Sequence, residues 1–173
     1  TKALISDSTA AESTDANGLT AFNSGGFTIG TDTVYNNTSA TYVGWQWKAG
    51  GTAVTNTAGS ITSQVSANTT AGFSVVTWTG TGSSTATIGH GLGVAPAMIF
   101  AKQTSIARNW HVYHQSLGND YYLVLNLTQA ASSSNDGRCQ VSGANTFICD
   151  ATGTAVAYCF AAIAGYSAFG SYT

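Results

Sequence analysis

Apolar residues recur along this chain in short bursts of alternation, each closed by Gly, Ser, Thr or Asn. Alternation with period two marks a strand, because successive side chains point to opposite faces. Runs rich in Thr, Val, Ile, Tyr, Phe and Trp predict strands at residues 27–31, 41–48, 73–79, 98–102, 110–114, 121–126, 146–150, 155–160 and 166–172. The clearest case sets Tyr42, Gly44 and Gln46 on one face against Val43, Trp45 and Trp47 on the other. No long segment sustains a helical period. The expected fold is all-β: β-sandwich-like modules in tandem, built of antiparallel strands with little or no helix.

Internal similarity organises these strands. Ala3-Leu4-Ile5-Ser6 and Ala10-Ala11 align with Leu123-Val124-Leu125-Asn126 and Ala130-Ala131 at an offset of 120, and Phe27 falls on Phe147 at the same offset. After a longer loop over 32–40, Tyr42-Val43-Gly44-Trp45-Gln46-Trp47 matches Ala155-Val156-Ala157-Tyr158-Cys159-Phe160 at offset 113. Ala71-Gly72-Phe73-Ser74 matches Ala164-Gly165-Tyr166-Ser167 at offset 93. The order is preserved, as a repeat architecture requires. Four parts follow: 1–49 as the second half of one repeat, 50–70 as a Thr/Ala/Gly/Ser-rich connector, 71–161 as a complete repeat, and 162–173 as the first strand of another. The chain reads as a window on an array, and a start at Thr1 without Met fits a processed chain or a fragment of something longer. Short half-repeats bury a core only when packed on each other. Their exposed edges favour a homo-oligomer or stacking of unit on unit.

Composition narrows the setting. Only 7% of residues are charged, against about 25% in an average soluble domain. A net charge of −2 from five basic and seven acidic residues leaves no basic stripe for a phosphate backbone, so nucleic-acid binding is not expected. No apolar run approaches the roughly 20 residues that span a bilayer, and the start lacks the features of a signal peptide; membrane insertion is not expected either. Hydroxyl- and amide-rich surfaces suit an extracellular or particle-borne protein that meets other copies of itself.

The residues that could carry chemistry are scattered. His111 and His114 lie three apart on a predicted strand and so face opposite ways, while His90 sits in a Gly89-His90-Gly91 turn; a structural role outweighs metal binding. Glycan hydrolysis needs two carboxylates flanking one bond. Asp120, Asp136 and Asp150, the acids of the complete repeat, all fall in turn-rich stretches where Asp bonds its own backbone. Ser116 lies near His114 without a nucleophile-elbow pattern, and the glycines form no phosphate-binding motif. No catalytic residue, metal site or cofactor is expected. At offset 120, Cys139 and Cys149 replace Leu19 and Ile29, and the turn Ser142-Gly143-Ala144-Asn145 would set them opposite each other. They are candidates for a disulfide, with two buried free thiols as the alternative; Cys159 is expected to be an unpaired thiol. Trp45, Trp47, Trp78 and Trp110 suit core or subunit contact better than sugar stacking. Tyr35, Asn36 and Asn37, in the variable loop, are the candidates for surface recognition. The sequon Asn68-Thr69-Thr70 is expected from composition alone.

Three long runs carry a resemblance. Gly89-His90-Gly91-Leu92-Gly93-Val94-Ala95-Pro96-Ala97-Met98-Ile99 is followed by Trp110-His111-Val112-Tyr113-His114-Gln115-Ser116-Leu117-Gly118, then by Val156-Ala157-Tyr158-Cys159-Phe160-Ala161 leading into Gly165-Tyr166-Ser167-Ala168-Phe169-Gly170-Ser171-Tyr172-Thr173. Together they resemble a repeat of tail-fibre and other virion proteins of tailed bacteriophages, many of them aquatic. The pair Cys139 and Cys149 departs from that pattern. The resemblance implies a non-enzymatic structural component of a phage fibre or virion appendage that supports host-surface attachment. Its partners would be other copies of itself, other virion proteins and host surface glycan. A secreted glycan-binding module or adhesin is the alternative; a capsid decoration protein or a glycan depolymerase ranks below both.

Overall fold

The computed structural model describes residues 1–133 and 138–172; Asp136 lies outside them. Alternating segments close into hairpins in chain order. β1 (Lys2–Ala3) pairs with β2 (Ser13–Thr14), and β3 (Leu19–Asn23) with β4 (Gly26–Ile29). Then come β5 (Val54–Asn56), β6 (Ser63–Asn68), β7 (Phe73–Thr81), β8 (Thr87–Gly89), β9 (Met98–Gln103) and β10 (His111–His114). The last five are β11 (Tyr121–Val124), β12 (Ser132–Ser133), β13 (Gln140–Val141), β14 (Thr146–Ile148) and β15 (Thr152–Phe160). The described residues contain no helix, and every strand pair is antiparallel. The protein is all-β.

An eight-stranded sheet, ordered β12-β11-β10-β9-β15-β7-β6-β5, carries the core. β15 is its hub, pairing with β7 from Thr152↔Thr81 to Phe160↔Phe73 and with β9 from Ala155↔Gln103 to Phe160↔Met98. Small residues on one face, Ala155, Ala157 and Cys159, admit a second layer close to the sheet. That layer is the three-stranded sheet β13-β14-β8, which buries Phe147 and Ile88 against Val76, Trp78 and Ile99. Phe147 meets Trp78 edge to face, 5.5 Å between centroids. Two inner faces that interdigitate in this way are the physical content of a sandwich.

On the opposite face, Lys102 is buried and its Nζ donates to the carbonyls of Thr9 (3.3 Å) and Gln103 (2.7 Å). It thereby fastens the N-terminal segment to the sheet, and burial pulls its pKa below the usual lysine range.

Three segments differ from expectation. Residues 50–70, read as a connector, supply β5 and β6 at the edge of the large sheet. Small polar residues hide this strand: Ser63 and Val65 face inward, and the Ser63 hydroxyl donates to the Gly89 carbonyl at 2.9 Å. Residues 41–48 alternate as strands do but pair with nothing, and all eight are exposed. Residues 166–172 likewise join no strand beyond a single Ile163↔Ser167 bridge. Alternation is a local property, whereas a strand needs a neighbour to take its backbone groups.

The offset of 120 reappears as geometry. Leu19 pairs with Ile29 in the β3–β4 hairpin. In the β13–β14 hairpin, Gln140↔Ile148 and Val141↔Phe147 place Cys139 opposite Cys149, the positions equivalent to Leu19 and Ile29. The β1–β2 hairpin falls near β11–β12 at the same offset, with its register displaced by two residues.

Candidate functional site

Buried polar groups come first, because they are where strained chemistry would sit. His90 is fully buried; its Nδ1 accepts the Leu92 amide at 3.2 Å, which puts the proton on Nε2, and Nε2 has no partner among the described residues. Burial pushes its pKa down to about 4. His111, buried on β10 with its ring edge to face on Tyr122, is also pushed down to about 4, by burial first and then by the positive charges of Arg138, Arg108 and Lys102. His114 Nδ1 accepts the Ser116 amide at 3.2 Å. These rings are spent on local packing, and no group of three His, Cys, Asp or Glu side chains that could hold a metal ion occurs among the described residues. Asp120 precedes β11 and Asp150 follows β14, so the two acids sit in connections next to different strands. Asn68 of the sequon bonds the carbonyl of Lys48 and the amide of Ala71.

All three cysteines are buried free thiols. The neighbouring Cys149 thiol across the hairpin, with burial, raises the Cys139 pKa well above the usual thiol range. The Cys149 thiol also donates to the Arg138 carbonyl at 3.0 Å. Burial raises the pKa of Cys159 too. A thiol oxidant is expected to remove two of the three thiols, those of Cys139 and Cys149, because they face each other in register. Recovery of all three on titration in denaturant after oxidation would show that the hairpin holds the pair apart.

The aromatics divide sharply. Trp78 and Trp110 are buried, the latter stacked on Tyr158 at 6.4 Å, with its Nε1 donating to the Ile5 carbonyl at 2.9 Å. Beside them, a groove of about 750 Å³ runs under the β1–β2 hairpin, lined by Thr77, Thr104, Thr154 and Tyr158 and flanked by the Lys2–Glu12 ion pair. It draws on residues from Lys2 to Tyr158, so no local motif signals it.

Val43 (78% exposed), Trp45 (78%) and Trp47 (58%), alternate residues of one segment, present an apolar surface to solvent; Phe22 (76%) of β3 is open too. The frame of that segment is built by the loop before it. Asp32 Oδ1 accepts the Val34 amide, Asn36 Nδ2 donates to the Gly30 carbonyl, and the Tyr42 hydroxyl accepts the Asn37 amide and donates to the Thr33 carbonyl. Phe27 lies against Gly44 so closely that an added Cβ would come within 2.8 Å of its ring. Trp47 leans edge to face on Phe160, 5.9 Å between centroids. Tyr35, Asn36 and Asn37, chosen from sequence as recognition residues, thus sit in the loop that holds this surface, with several of their polar groups engaged within it.

The whole chain, residues 1–173, matches a family described as a domain of unknown function, DUF7483. It belongs to that family. No curated protein and no solved structure matches the chain. In this DUF7483 chain, the exposed Tyr42, Trp45 and Trp47 lie in the segment that carries a strand pattern and lacks a strand partner. Such a surface can stack on sugar rings or accept another strand; open backbone groups beside alternating side chains suit the second.

Proposed function

We propose that this chain is a non-enzymatic structural module: one link of an array in a phage fibre or related virion appendage, outside the cell. One observation carries the reading. The hairpin of the complete repeat recurs in residues 1–49 with the same opposed positions, Leu19↔Ile29 for Cys139 and Cys149, while the counterpart of the hub strand β15 stays unpaired and apolar. A half-module with an open strand is incomplete by itself and is completed by a neighbour. Few charges lower the desolvation cost of such contacts. Other copies and other virion proteins are the partners, and a host surface glycan would meet the exposed loop at Asn36 and Asn37, whose side chains hold its shape through Gly30 and Ser39. Repetition of weak contacts along the array raises avidity.

Sedimentation of the purified chain at rising concentration, with electron microscopy of the same samples, tests the reading. Elongated assemblies that lengthen with concentration are expected. A monomer that instead binds polysaccharide through Trp45 and Trp47 would replace the array with a glycan-binding module.

A further inference from the structure

Two segments of this chain lie outside its strand ladders, 41–48 and 166–172, the second bridged only at its start, where Tyr166 and Ser167 turn back on Ile163; they are counterparts of two strands that pair with each other. Residues 42–47 correspond to β15 at offset 113, and residues 166–172 correspond to β7 at offset 93. The second match is also conformational, because Gly165 has φ +76° and its counterpart Gly72 has φ +67°, a region that favours glycine.

The β7–β15 register can therefore be transferred. Phe73↔Phe160 becomes Tyr166↔Trp47, and Val75↔Tyr158 becomes Ala168↔Trp45. Val76↔Ala157 becomes Phe169↔Gly44, and Trp78↔Ala155 becomes Ser171↔Tyr42. Two further pairs, Ser167↔Gln46 and Gly170↔Val43, complete the register with a small residue in each, and sizes compensate at the other four. An aromatic pair stays aromatic, the larger Trp45 faces the smaller Ala168, the larger Phe169 faces Gly44, and the bulk of Trp78 crosses the ladder to Tyr42. Cross-strand pairs are the unit of sheet stability, so a register that keeps the aromatic pair and sets large residues against small ones at the other three is favoured over its neighbours.

Within one chain no ladder joins the two segments: Trp47 and Phe169 flank the same Phe160 ring, and the Phe169 carbonyl accepts from Gln115 Nε2 at 2.9 Å. Each copy holds one donor and one acceptor of the same ladder. We infer that residues 166–172 of one copy add as an antiparallel strand to residues 41–48 of a second copy, closing one edge of the half-repeat. The contact is heterologous, donor to acceptor, and so propagates as an open array. This rests on the array reading and specifies the contact that builds it.

Single variants at exposed positions test the pairing in the full chain. Trp45→Cys and Ala168→Cys protein, mixed under mild oxidation, is expected to form covalent dimers several-fold faster than Val43→Cys mixed with Ala168→Cys, which is out of register by two residues on the same face. The native thiols are buried, and Cys139 and Cys149 face each other within the chain, so they do not cross-link copies. A chain carrying both Trp45→Cys and Ala168→Cys is expected to give a ladder of linear multimers. Equal rates in the two mixtures, or a bond closed inside one chain of the double variant, would overturn the inference. Elongated assemblies that form without the in-register bond would remove the strand exchange and leave the array standing; a chain monomeric in every sample would remove both.

Discussion

Acidification from pH 7 to pH 4 is expected to unfold this protein or bring it to the edge of unfolding. His90 and His111 are buried as neutral rings, and each has its pKa pushed from 6.5 down to about 4. Below pH 6.5 the unfolded chain takes up protons that the folded chain refuses, so stability falls as the pH falls. The loss begins near the unfolded value and is complete once the pH passes below the folded value. Each ring accounts for roughly 3 kcal/mol over that window, and the two together approach the about 5–15 kcal/mol that holds a typical domain. Tryptophan fluorescence followed against urea at several pH values measures the effect. His111→Phe keeps a ring edge against Tyr122 and cannot titrate, so it is expected to remove about half of the slope. A stability that stays flat from pH 6.5 to pH 4 would show that both rings accept protons without cost.

The second large effect lies at Phe147. Its ring is wholly buried and stands edge to face on Trp78, at 84° between planes, where the three-stranded layer meets the eight-stranded sheet. Phe147→Ala removes that contact and leaves a cavity between layers that cannot close around it. The expected loss is about 3–5 kcal/mol, read as a lower urea midpoint with an unchanged slope. The counterpart substitution, Phe27→Ala, removes a ring that is 39% exposed and rests on Gly44. In the isolated chain it is expected to cost less than about 1 kcal/mol. Equivalent residues with unequal effects would measure directly how incomplete the first half-repeat is, and equal losses would show that it packs a core of its own.

Much of the fold was legible because alternation and turn chemistry are local. Residues 73–79, 98–102 and 155–160 read as strands from their own side chains and lie within β7, β9 and β15. Even a long-range fact was accessible: Cys139 and Cys149 could be set opposite each other because a short turn fixes hairpin register. Residues 54–68 were harder, since strands whose inward faces carry Ser63 and Ala67 look like linker until a neighbouring sheet buries them. Residues 41–48 failed in the opposite direction, with a strong strand pattern and no strand.

The sequence by itself determined the all-β class, several of the strands and the hairpin that opposes Cys139 to Cys149, because each depends on the spacing of side chains within a few residues. Tertiary structure alone decided which tryptophans are buried, that Lys102, His90 and His111 lie inside, and that the counterpart of the hub strand stands open. Burial and pairing depend on residues up to about a hundred positions away, such as Thr9 against Lys102 and Ile5 against Trp110. No local pattern encodes those distances. A strand's side chains state what it could pair with, and only the folded chain shows whether that partner has arrived.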